Sequence, residues 1–529
     1  MIRQLLAFAL LPLTALAQPN NADSPPNILL VLADDLGYNE LGSYGQEKIQ
    51  TPVLDRLAAE GLRFTRFYSA STVCAPARAS LMTGLHTGLS PIRGNTEAGG
   101  WGPEAPEGQR PLPAEYITLA ERLQGAGYAT GAFGKWGLGG PGSEGHPNHQ
   151  GFDHFYGYLC QRVAHNFYPT HLWRNHDVDV QHNNDYFSAH QRLQQPLDSE
   201  HEYYRRFGGV NEPGGMGGDY SAESIIDEAE RWIADTHQAD PDQPLFLYYP
   251  TTIPHVALQA PREWVERYPA DWDLPHDQTD NPAPDTDPAT GHYLGSRGYT
   301  PHPRPRAAYA AMISYFDDSV GRLLAALDAA GRLDNTIVIV TSDNGTTFAG
   351  GVDRHFFDSL SNLRGYKTNL YEGGIRVPCL VWWPGRVPAG STTDTPTILI
   401  DLYATLCTIA GDETTQSFDR AIPSTSLDLT PLLTNPAVTP EHLGARDVLY
   451  WEFPEGRKSQ AVLLDGRYKA IRPNLTDQPD QLELYDLEND PGETSNLVDA
   501  RPDLVERARR AMIASRVPNP HYPMPALDD

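Results

Sequence analysis

Short apolar runs alternate along this chain with segments of helical period. Runs typical of buried strands cover residues 27–32, 128–133, 245–249, 337–340 and 377–383. Helices are predicted at 116–124 and 307–330, and a third begins at Thr51-Pro52 and ends at Gly61, by the proline and glycine signals of helix ends. Strands that alternate with helices predict an α/β domain with a large, mostly parallel sheet flanked by helices.

The pattern changes after about residue 440. Short strands are predicted at 448–452 and 461–469, and a helix follows at 504–514. We therefore predict a catalytic domain over residues 18–440 and a smaller C-terminal α+β subdomain over residues 441–529. Two further stretches, 208–218 and 269–305, have little apolar periodicity, which is typical of long functional loops.

The first 17 residues have the organisation of a secretory signal peptide. Arg3 precedes an apolar run at 5–13, and Ala15-Leu16-Ala17 offers a small-residue cleavage site. That run is too short to span a bilayer, and no later segment has 18 consecutive apolar residues. We expect an exported protein, periplasmic or secreted, with no membrane partner.

Composition excludes some classes of function. The chain has 529 residues, and 40 Lys and Arg against 68 Asp and Glu give a formal net charge of −28. Such an acidic balance argues against a nucleic-acid partner, whose phosphates need clustered basic side chains. Four cysteines are too few for a disulfide framework in so long a chain, namely Cys74, Cys160, Cys379 and Cys407.

Polar side chains suited to catalysis follow four of the predicted strands: Asp34 and Asp35, Lys135, His255, and Asp343 and Asn344. Each group alone is also typical of a turn. Because ligands of open α/β sheets bind beyond the carboxyl ends of the strands, we expect these side chains to meet at one edge. The aspartates and the asparagine offer only oxygen ligands, which predicts a hard divalent cation such as Ca²⁺ or Mg²⁺.

Cys74 is the one cysteine with a chemically suggestive context. Pro76 marks the start of a predicted helix, so Cys74 lies at the helix N-terminus, where the dipole favours an anion. Arg78 follows one turn later on the same face. By the residues alone, a helix-start cysteine without a chemical role fits equally well.

The segment Cys74-Ala-Pro76-Ala-Arg78, continued by Ala-Ser-Leu-Met-Thr-Gly84, resembles the signature of the type I, formylglycine-dependent sulfatases of the alkaline phosphatase superfamily. Matching segments extend over about residues 27–500 and include Asp34-Asp35-Leu-Gly, Gly134-Lys135-Trp136, Pro254-His255, Asp343-Asn344-Gly345, Arg364-Gly365-Tyr-Lys367, Glu372-Gly-Gly-Ile-Arg376 and Leu484-Tyr-Asp-Leu-Glu-Asn-Asp-Pro491. The resemblance implies an alkaline-phosphatase-like core with a C-terminal subdomain.

The same resemblance implies roles for individual residues. A maturation enzyme would oxidise Cys74 to formylglycine, whose hydrate is the nucleophile. Arg78, Lys135 and Lys367 would stabilise the transferring sulfuryl group, and His255 would protonate the leaving oxygen. The cation, Ca²⁺ or Mg²⁺, would be held by Asp34, Asp35, Asp343, Asn344 and the modified residue 74.

One position departs from the family pattern. The family has Gly-Lys-Trp-His, whereas this chain has Gly134-Lys135-Trp136-Gly137, so the histidine that would contact the aldehyde hydrate is missing. Four nearby histidines could replace it: His146, His149, His154 and His165. We favour His165, as a substrate-binding residue and candidate base, because the segment around it is typical of a pocket-lining loop.

The expected substrate is a sulfated glycan. Residues 156–174 are rich in aromatic side chains, which suit sugar rings, and include Arg174, which suits a sulfate. The same pattern is equally typical of an ordinary hydrophobic core. The sequence around Gln161 resembles subfamilies that act on galactose or N-acetylgalactosamine 4-sulfate. Two alternatives stay open: a phosphodiesterase or phosphonate hydrolase of the same superfamily, and an exported glycan-binding pseudoenzyme.

Overall fold

A computed structural model describes residues 24–98, 107–181, 184, 219–273, 299–300, 302–412, 425–438, 443 and 446–528. The predicted signal peptide, the stretch 208–218, residues 274–298 and the predicted domain boundary at 440 lie outside the described residues.

The described strands are β1 Asn27–Ala33, β2 Leu62–Tyr68, β3 Ala129–Lys135, β4 His154–Tyr158, β5 His171–Arg174, β6 Asp177–Val180, β7 Leu245–Pro250, β8 Thr336–Ser342, β9 Arg376–Trp382, β10 Ser391–Thr393, β11 Thr397–Ile398, β12 Val448–Phe453, β13 Ser459–Leu464, β14 Tyr468–Arg472 and β15 Glu483–Asp486. The described α-helices are α1 Pro52–Glu60, α2 Cys74–Thr83, α3 Leu119–Gly125, α4 Ser221–Ala239, α5 Arg262–Val265, α6 Pro305–Ala329, α7 Glu372–Ile375, α8 Asp401–Ile409, α9 Thr430–Thr434, α10 Pro502–Ala514 and α11 Pro525–Asp528. None of these helices combines the length and the apolar composition that a membrane crossing requires.

Eleven strands form one large mixed sheet, in the order β10-β2-β9-β8-β1-β7-β3-β4-β5-β6, with β11 also paired to β2. At its centre β8, β1, β7, β3 and β4 are parallel neighbours. Strand β9 runs antiparallel between β8 and β2, and β5 and β6 add an antiparallel edge. The prediction of a large, mostly parallel sheet flanked by helices is confirmed.

Both faces of the sheet are covered, and β1 shows how. Ile28, Leu30 and Leu32 point into a core shared with α2, α3 and α8, whereas Leu29 and Val31 point into a core shared with α1, α4 and α6. Because a strand covered on both faces needs apolar side chains at every position, its sequence is a continuous apolar run.

A separate antiparallel sheet, β12-β13-β14-β15, forms the C-terminal region. One face carries α10, where Met512 packs with Val462, and the other face adds Ala461 to a core of the large sheet. The Trp451 indole N–H donates to the Ser69 carbonyl at 2.8 Å. The predicted α+β subdomain is thus present and packs on the large sheet next to α2.

The segment 461–469, predicted as one strand, is a hairpin of β13 and β14. Asp465 and Gly466 both have positive φ (51° and 65°), and the Arg467 N–H donates to the Leu464 carbonyl at 2.9 Å across the turn. Residues 465–467 connect the strands, since Leu464 pairs with Tyr468, and the positive φ angles of Asp465 and Gly466 turn the chain back. The Asp-Gly pair was the signal in the sequence, and the single-strand prediction was wrong.

The helix predicted at 116–124 begins at Leu119 instead. Thr118 accepts the Glu121 N–H on its hydroxyl at 3.1 Å, and the Glu121 carboxylate accepts the Thr118 N–H at 2.7 Å. This reciprocal capping box satisfies two amide donors at the helix start and fixes its first residue.

Candidate active site

The ends of four parallel neighbours in the large sheet, β8, β1, β7 and β3, bring the predicted polar residues together. Asp34 and Asp35 follow β1, Lys135 ends β3, His255 lies five residues beyond β7, and Asp343 and Asn344 follow β8. Cys74 is the first residue of α2 and faces the same edge. Possible ligand atoms of Asp34, Asp35, Cys74 and His255 all lie within 4.8 Å of one another.

The Cys74 thiol is buried at the centre of this cluster. Its Sγ donates to Asp34 Oδ1 at 3.2 Å, and Lys367 Nζ lies 3.6 Å from it. Burial raises the pKa of the thiol well above its ordinary value, and the neighbouring Asp34 carboxylate raises it further. The unmodified side chain is therefore a neutral thiol at pH 7, which is a weak nucleophile.

Each of the three buried carboxylates has a basic partner. Lys135 Nζ lies 2.6 Å from Asp34, Lys367 Nζ lies 2.6 and 2.9 Å from the two Asp35 oxygens, and Arg78 donates to Asp343 Oδ2 through Nη2 at 2.7 Å and Nε at 3.1 Å. These contacts bring together the six charged side chains that were predicted for the site in addition to His255, namely Asp34, Asp35, Arg78, Lys135, Asp343 and Lys367.

The surroundings shift the pKa values of Asp34 and Asp343 in opposite directions. Burial by itself would raise the pKa of Asp34, but nearby cations, Lys135 above all, hold that pKa well below its usual range. For Asp343, burial together with repulsion from Asp34 raises the pKa to about 7, although Arg78 opposes the rise. Crowded carboxylates of this kind gain stability from an additional positive charge.

The donor set fits a hard divalent cation. Asn344 donates its amide N–H to Asp35 Oδ1 at 2.7 Å and to the Gly345 carbonyl at 2.9 Å, which turns Oδ1 the other way. That buried Oδ1 has no hydrogen-bond partner among the described residues. The carboxylates of Asp34, Asp35 and Asp343 and the amide oxygen of Asn344, which has no hydrogen-bond partner here, together offer the oxygen ligands that Ca²⁺ and Mg²⁺ take.

The backbone at Asp35 supports the same interpretation. Its φ is 69°, in the left-handed region that non-glycine residues rarely occupy. The Asp35 N–H donates to Asp343 Oδ1 at 3.2 Å and the Asp35 carboxylate accepts from Asn344 at 2.7 Å, so Asp35 is held against the residues that follow β8. Strained backbone of this kind clusters at functional sites.

His255 lies on the other side of Asp35, with its Nε2 3.6 Å from Asp35 Oδ2. Its Nδ1 contacts the Val256 carbonyl, so Nδ1 carries the hydrogen and Nε2 faces the site. Burial, followed by the charge of Lys367, lowers the pKa of His255 to about 4. The His165 ring stacks on the His255 ring, with 4.1 Å between centroids and 12° between planes.

The three other candidate histidines contact different parts of the protein: His146, His149 and His154. His146 stacks on His176, with 4.3 Å between centroids, and His149 packs beside the same ring at 5.4 Å. His154 Nε2 lies 3.1 Å from Glu228 Oε1. Among the four candidates, the structure brings His165 alone into ring contact with His255 in the described part of the chain.

The space beside Gly137 is filled by a residue that sequence reasoning missed. Gly137 has a φ of +74°, and a Cβ added there would lie 2.6 Å from Gln161 Cγ and 2.8 Å from Gln161 Nε2. Gln161 is buried against the Gly137 backbone. A histidine at 137 therefore does not fit this chain, and the glutamine occupies the volume that its side chain would need.

The aromatic stretch is mostly core. Tyr156, Tyr158, Phe167 and Tyr168 are buried in the core between the sheet and α4. Trp173 donates its indole N–H to the Glu107 carboxylate, and its ring is held against the sheet. The expectation that these aromatic faces bind sugar rings is wrong for the four buried rings, because protein atoms cover them.

Comparison with known proteins shows similarity over almost the whole chain. Residues 26–412 match the family model described as Sulfatase, and residues 365–513 match the model described as N-sulphoglucosamine sulphohydrolase, C-terminal. Arylsulfatase A of Bos taurus is 30% identical over 545 residues, which cover 94% of this chain and 88% of the relative. N-acetylgalactosamine-6-sulfatase of Sus scrofa is 31% identical over 458 residues, which cover 85% of this chain and 72% of the relative.

The fold is shared with solved structures. Ps i-CgsB, solved in complex with k-i-k-neocarrahexaose, superposes with a TM-score of 0.66 at 24% identity, and the match covers 95% of each chain. Both the large sheet and the C-terminal sheet therefore lie within the matched region.

Proposed function

The chain belongs to the sulfatase family and is a sulfuric ester hydrolase, and on that premise we propose that it removes sulfate from a sulfated glycan. The observation that carries the proposal is the place of Cys74, with its Sγ 3.2 Å from Asp34 and 3.6 Å from Lys367. A reactive atom at this place lies next to the carboxylate cluster and to the Lys367 ammonium. Positive charge at this place stabilises the negative charge that develops when a sulfate ester is cleaved.

Two groups complete the proposed site. Cys74 is oxidised to formylglycine by a maturation enzyme, and a divalent cation, Ca²⁺ or alternatively Mg²⁺, is held by Asp34, Asp35, Asp343, Asn344 and the modified residue 74. The neutral, buried thiol and the orphaned Asn344 oxygen support these two assignments. When bound, the cation supplies Lewis-acid polarisation of a sulfate oxygen.

The remaining side chains bind and orient the ester. Lys135 and Lys367 reach the centre from β3 and from the loop before α7, and each holds a sulfate oxygen. Arg78 is fixed by its two hydrogen bonds to Asp343, so its charge is preorganised toward the developing negative charge. The guanidinium is fully buried, which keeps water from weakening that interaction.

His255 delivers the proton to the leaving sugar oxygen from Nε2. Its Nδ1 hydrogen bond to the Val256 carbonyl sets the orientation of the ring. The negative charge of a bound sulfate ester favours the imidazolium form, which opposes the effect of burial on its pKa. His165 is assigned to substrate binding, since its ring stacks on the ring of His255, the proposed proton donor to the leaving group.

The substrate class we favour is galactose or N-acetylgalactosamine 4-sulfate units of an extracellular glycan. The pig relative is named for N-acetylgalactosamine 6-sulfate, and Ps i-CgsB was solved with a neocarrahexaose. The first name supports a sulfated N-acetylgalactosamine unit, and the second supports a carbohydrate oligomer as the ligand. Export, to the periplasm or out of the cell, follows from the predicted signal peptide and gives access to such polymers.

Turnover by matured protein tests the proposal. We would coexpress the full chain with a formylglycine-generating enzyme, measure the mass of the peptide that contains residue 74, and assay 4-nitrocatechol sulfate, sulfated monosaccharides and an aryl phosphodiester. Sulfate release from a 4-sulfated sugar is the expected result. Preferred cleavage of the phosphodiester would favour the phosphodiesterase alternative, and unmodified Cys74 without turnover would favour the pseudoenzyme.

A second measurement tests the cation without using activity. Metal-free protein should gain thermal stability with added Ca²⁺, because a ligand that binds only the native state stabilises it by about 2.7 kcal/mol at a concentration 100 times its Kd. Asn344→Asp should keep that gain and Asn344→Leu should lose it. Equal gains in wild type and Asn344→Leu would contradict the assigned ligand.

A further inference from the structure

A polar groove of about 540 Å³ lies beside the candidate site, between the loop that carries Lys367 and the C-terminal sheet. The residues that line it include Thr368 and Asn369, Glu455 and Arg457 from the turn between β12 and β13, and Gln478. The groove is thus built from both the large sheet region and the C-terminal subdomain.

Two short connections link this groove to residue 74. Lys367, whose Nζ lies 3.6 Å from Cys74 Sγ, directly precedes Thr368 of the groove wall. On the other side, Ala75 donates its N–H to Asn95 Oδ1 at 2.9 Å, and the Asn95 N–H donates to the Glu455 carboxylate. The groove therefore lies close to residue 74, on the side of Lys367 and Asn95.

Several polar side chains of the groove have no hydrogen-bond partner among the described residues and are open to solvent. Arg457 is exposed, and its guanidinium forms no hydrogen bond or ion pair with any described residue. The side-chain amides of Asn369 and Gln478 likewise form no hydrogen bond with the described part of the chain. Most arginines of the C-terminal region differ from Arg457, since Arg467 and Arg507, for example, pair with aspartates at 2.7 and 2.6 Å.

The chemistry of these groups selects an anionic sugar. An arginine fork matches the paired oxygens of a sulfate or a carboxylate, and such charge-assisted bonds are stronger than neutral ones. Lys458 lies beside Arg457, with its ammonium held over the turn by the Pro454 carbonyl at 2.7 Å. Amides such as those of Asn369 and Gln478 suit hydroxyl groups, which both donate and accept.

We propose that this groove binds the sugar unit next to the one whose sulfate ester is cleaved, and that Arg457 holds a sulfate or carboxylate of that neighbouring unit. The inference rests on the proposed function and deepens it, since it makes the substrate a polyanionic oligosaccharide rather than a monosaccharide or an aryl sulfate. Arg457 is then a specificity residue, remote from the reacting atoms.

The test compares matured wild type, Arg457→Ala and the control Arg510→Ala. Arg510 is 69% exposed on α10 and pairs only loosely with Glu506 at 3.5 Å. The substrates are 4-nitrocatechol sulfate, N-acetylgalactosamine 4-sulfate, a chondroitin 4-sulfate tetrasaccharide with sulfates and carboxylates, and an ι-carrageenan tetrasaccharide with sulfates alone. Comparison of the two tetrasaccharides distinguishes a carboxylate from a sulfate as the group that Arg457 holds.

We expect Arg457→Ala to lower kcat/KM on the preferred tetrasaccharide by about 10–100-fold, mainly through KM, because a hydrogen bond to a charged group contributes about 1.5–3 kcal/mol. Turnover of 4-nitrocatechol sulfate should stay within about twofold of wild type, as should every activity of Arg510→Ala.

Three results would overturn the inference. The first is an Arg457→Ala variant that matches wild type on both tetrasaccharides, and the second is an equal loss on 4-nitrocatechol sulfate, which indicates a structural role. The third is a wild type that cleaves 4-nitrocatechol sulfate but no tetrasaccharide. Absence of turnover on every substrate, with residue 74 shown to be oxidised, would overturn the proposed function and the inference with it.

Discussion

Among the buried clusters of charge in the described part of the chain, two that differ in construction are instructive to compare. The first is the candidate active site, around Asp34 and Asp343. The second, which we call the interdomain cluster, consists of Glu372, Lys469 and Glu493 and joins the large sheet region to the C-terminal sheet. Lys469 Nζ lies 2.9 Å from Glu372 and 3.1 Å from Glu493, and all three side chains are excluded from water.

The interdomain cluster, which we also call the closed cluster, pairs both of its carboxylates with one ammonium; Glu493 Oε1 has no hydrogen bond, but it lies 3.1 Å from Lys469 Nζ. The Glu372 carboxylate also accepts the Tyr68 hydroxyl at 3.0 Å, and the Glu493 carboxylate accepts the Glu372 N–H at 2.7 Å. In the candidate site, which we call the open cluster, three carboxylates converge, and the buried Asn344 oxygen has no hydrogen-bond partner among the described residues. The closed cluster is suited to holding two parts of the chain together, and the open one is suited to holding a ligand.

The largest effect should follow removal of the group at the centre of the open cluster. Cys74→Ala should lower sulfatase turnover by about 10⁴–10⁶-fold, as loss of a nucleophile does. Cys407→Ala, at another buried cysteine, should lower stability and leave kcat unchanged. Turnover of Cys74→Ala within tenfold of wild type would remove residue 74 from the reaction.

Substitution in the closed cluster should lower stability strongly and turnover only slightly. Lys469→Met removes the ammonium between Glu372 and Glu493 and leaves the buried Glu493 without an ion-pair partner in the described residues, although Arg376 stays 3.5 Å from Glu372. The loss should cost about 3–5 kcal/mol of unfolding free energy, measured by urea titration. Turnover per folded molecule should fall by less than about tenfold, since no member of the cluster contacts residue 74. The exposed Lys48→Met is the control, and equal stability of the two variants would contradict this account.

The open cluster could be predicted from the sequence largely because of where its residues lie along the chain. Asp34, Asp343 and Lys135 each follow an apolar run, and parallel neighbours must deliver such residues to one edge. The family motif added Cys74 and Lys367, which no strand end could indicate. The fold followed from the same alternation of strands and helices.

What could not be predicted depends on contacts between distant segments. Glu372 and Lys469 are 97 positions apart, and nothing in either local sequence signals that they pair. Gln161 meets Gly137 because β4 pairs in register beside β3, so that the segments following the two strands run together. The single strand predicted over 461–469 failed for a simpler reason, since the Asp465-Gly466 turn signal was overlooked.

Substitution of Gly137, which packs against Gln161, should have an intermediate effect on stability. Gly137→His combines a left-handed backbone with a clash against Gln161, and each should cost about 1–3 kcal/mol of unfolding free energy. Gly137→Ala isolates the backbone cost, and Gly137→His with Gln161→Gly relieves the clash. If the double variant is no more stable than Gly137→His, Gln161 does not fill the space that we assign to it.

The smallest effect should be a pH dependence confined to the closed cluster. Burial raises the pKa of Glu493 from its ordinary 4.5 to about 7, although Lys469 opposes the rise. A carboxyl whose pKa is raised by folding contributes stability below its ordinary pKa and loses that contribution as pH rises through 7. Glu493→Gln does not titrate, so its stability relative to wild type should improve between pH 5 and pH 8 by on the order of 1–2 kcal/mol.

Urea titrations of both proteins at the two pH values measure that difference. Other buried acids, such as Asp317, whose pKa burial raises to about 7, titrate in both proteins and cancel. Glu488→Gln, at a carboxyl 61% exposed, should show no change relative to wild type with pH. A Glu493→Gln variant that loses stability relative to wild type as pH rises would mean that Lys469 outweighs burial, and that the closed cluster holds both glutamates ionised.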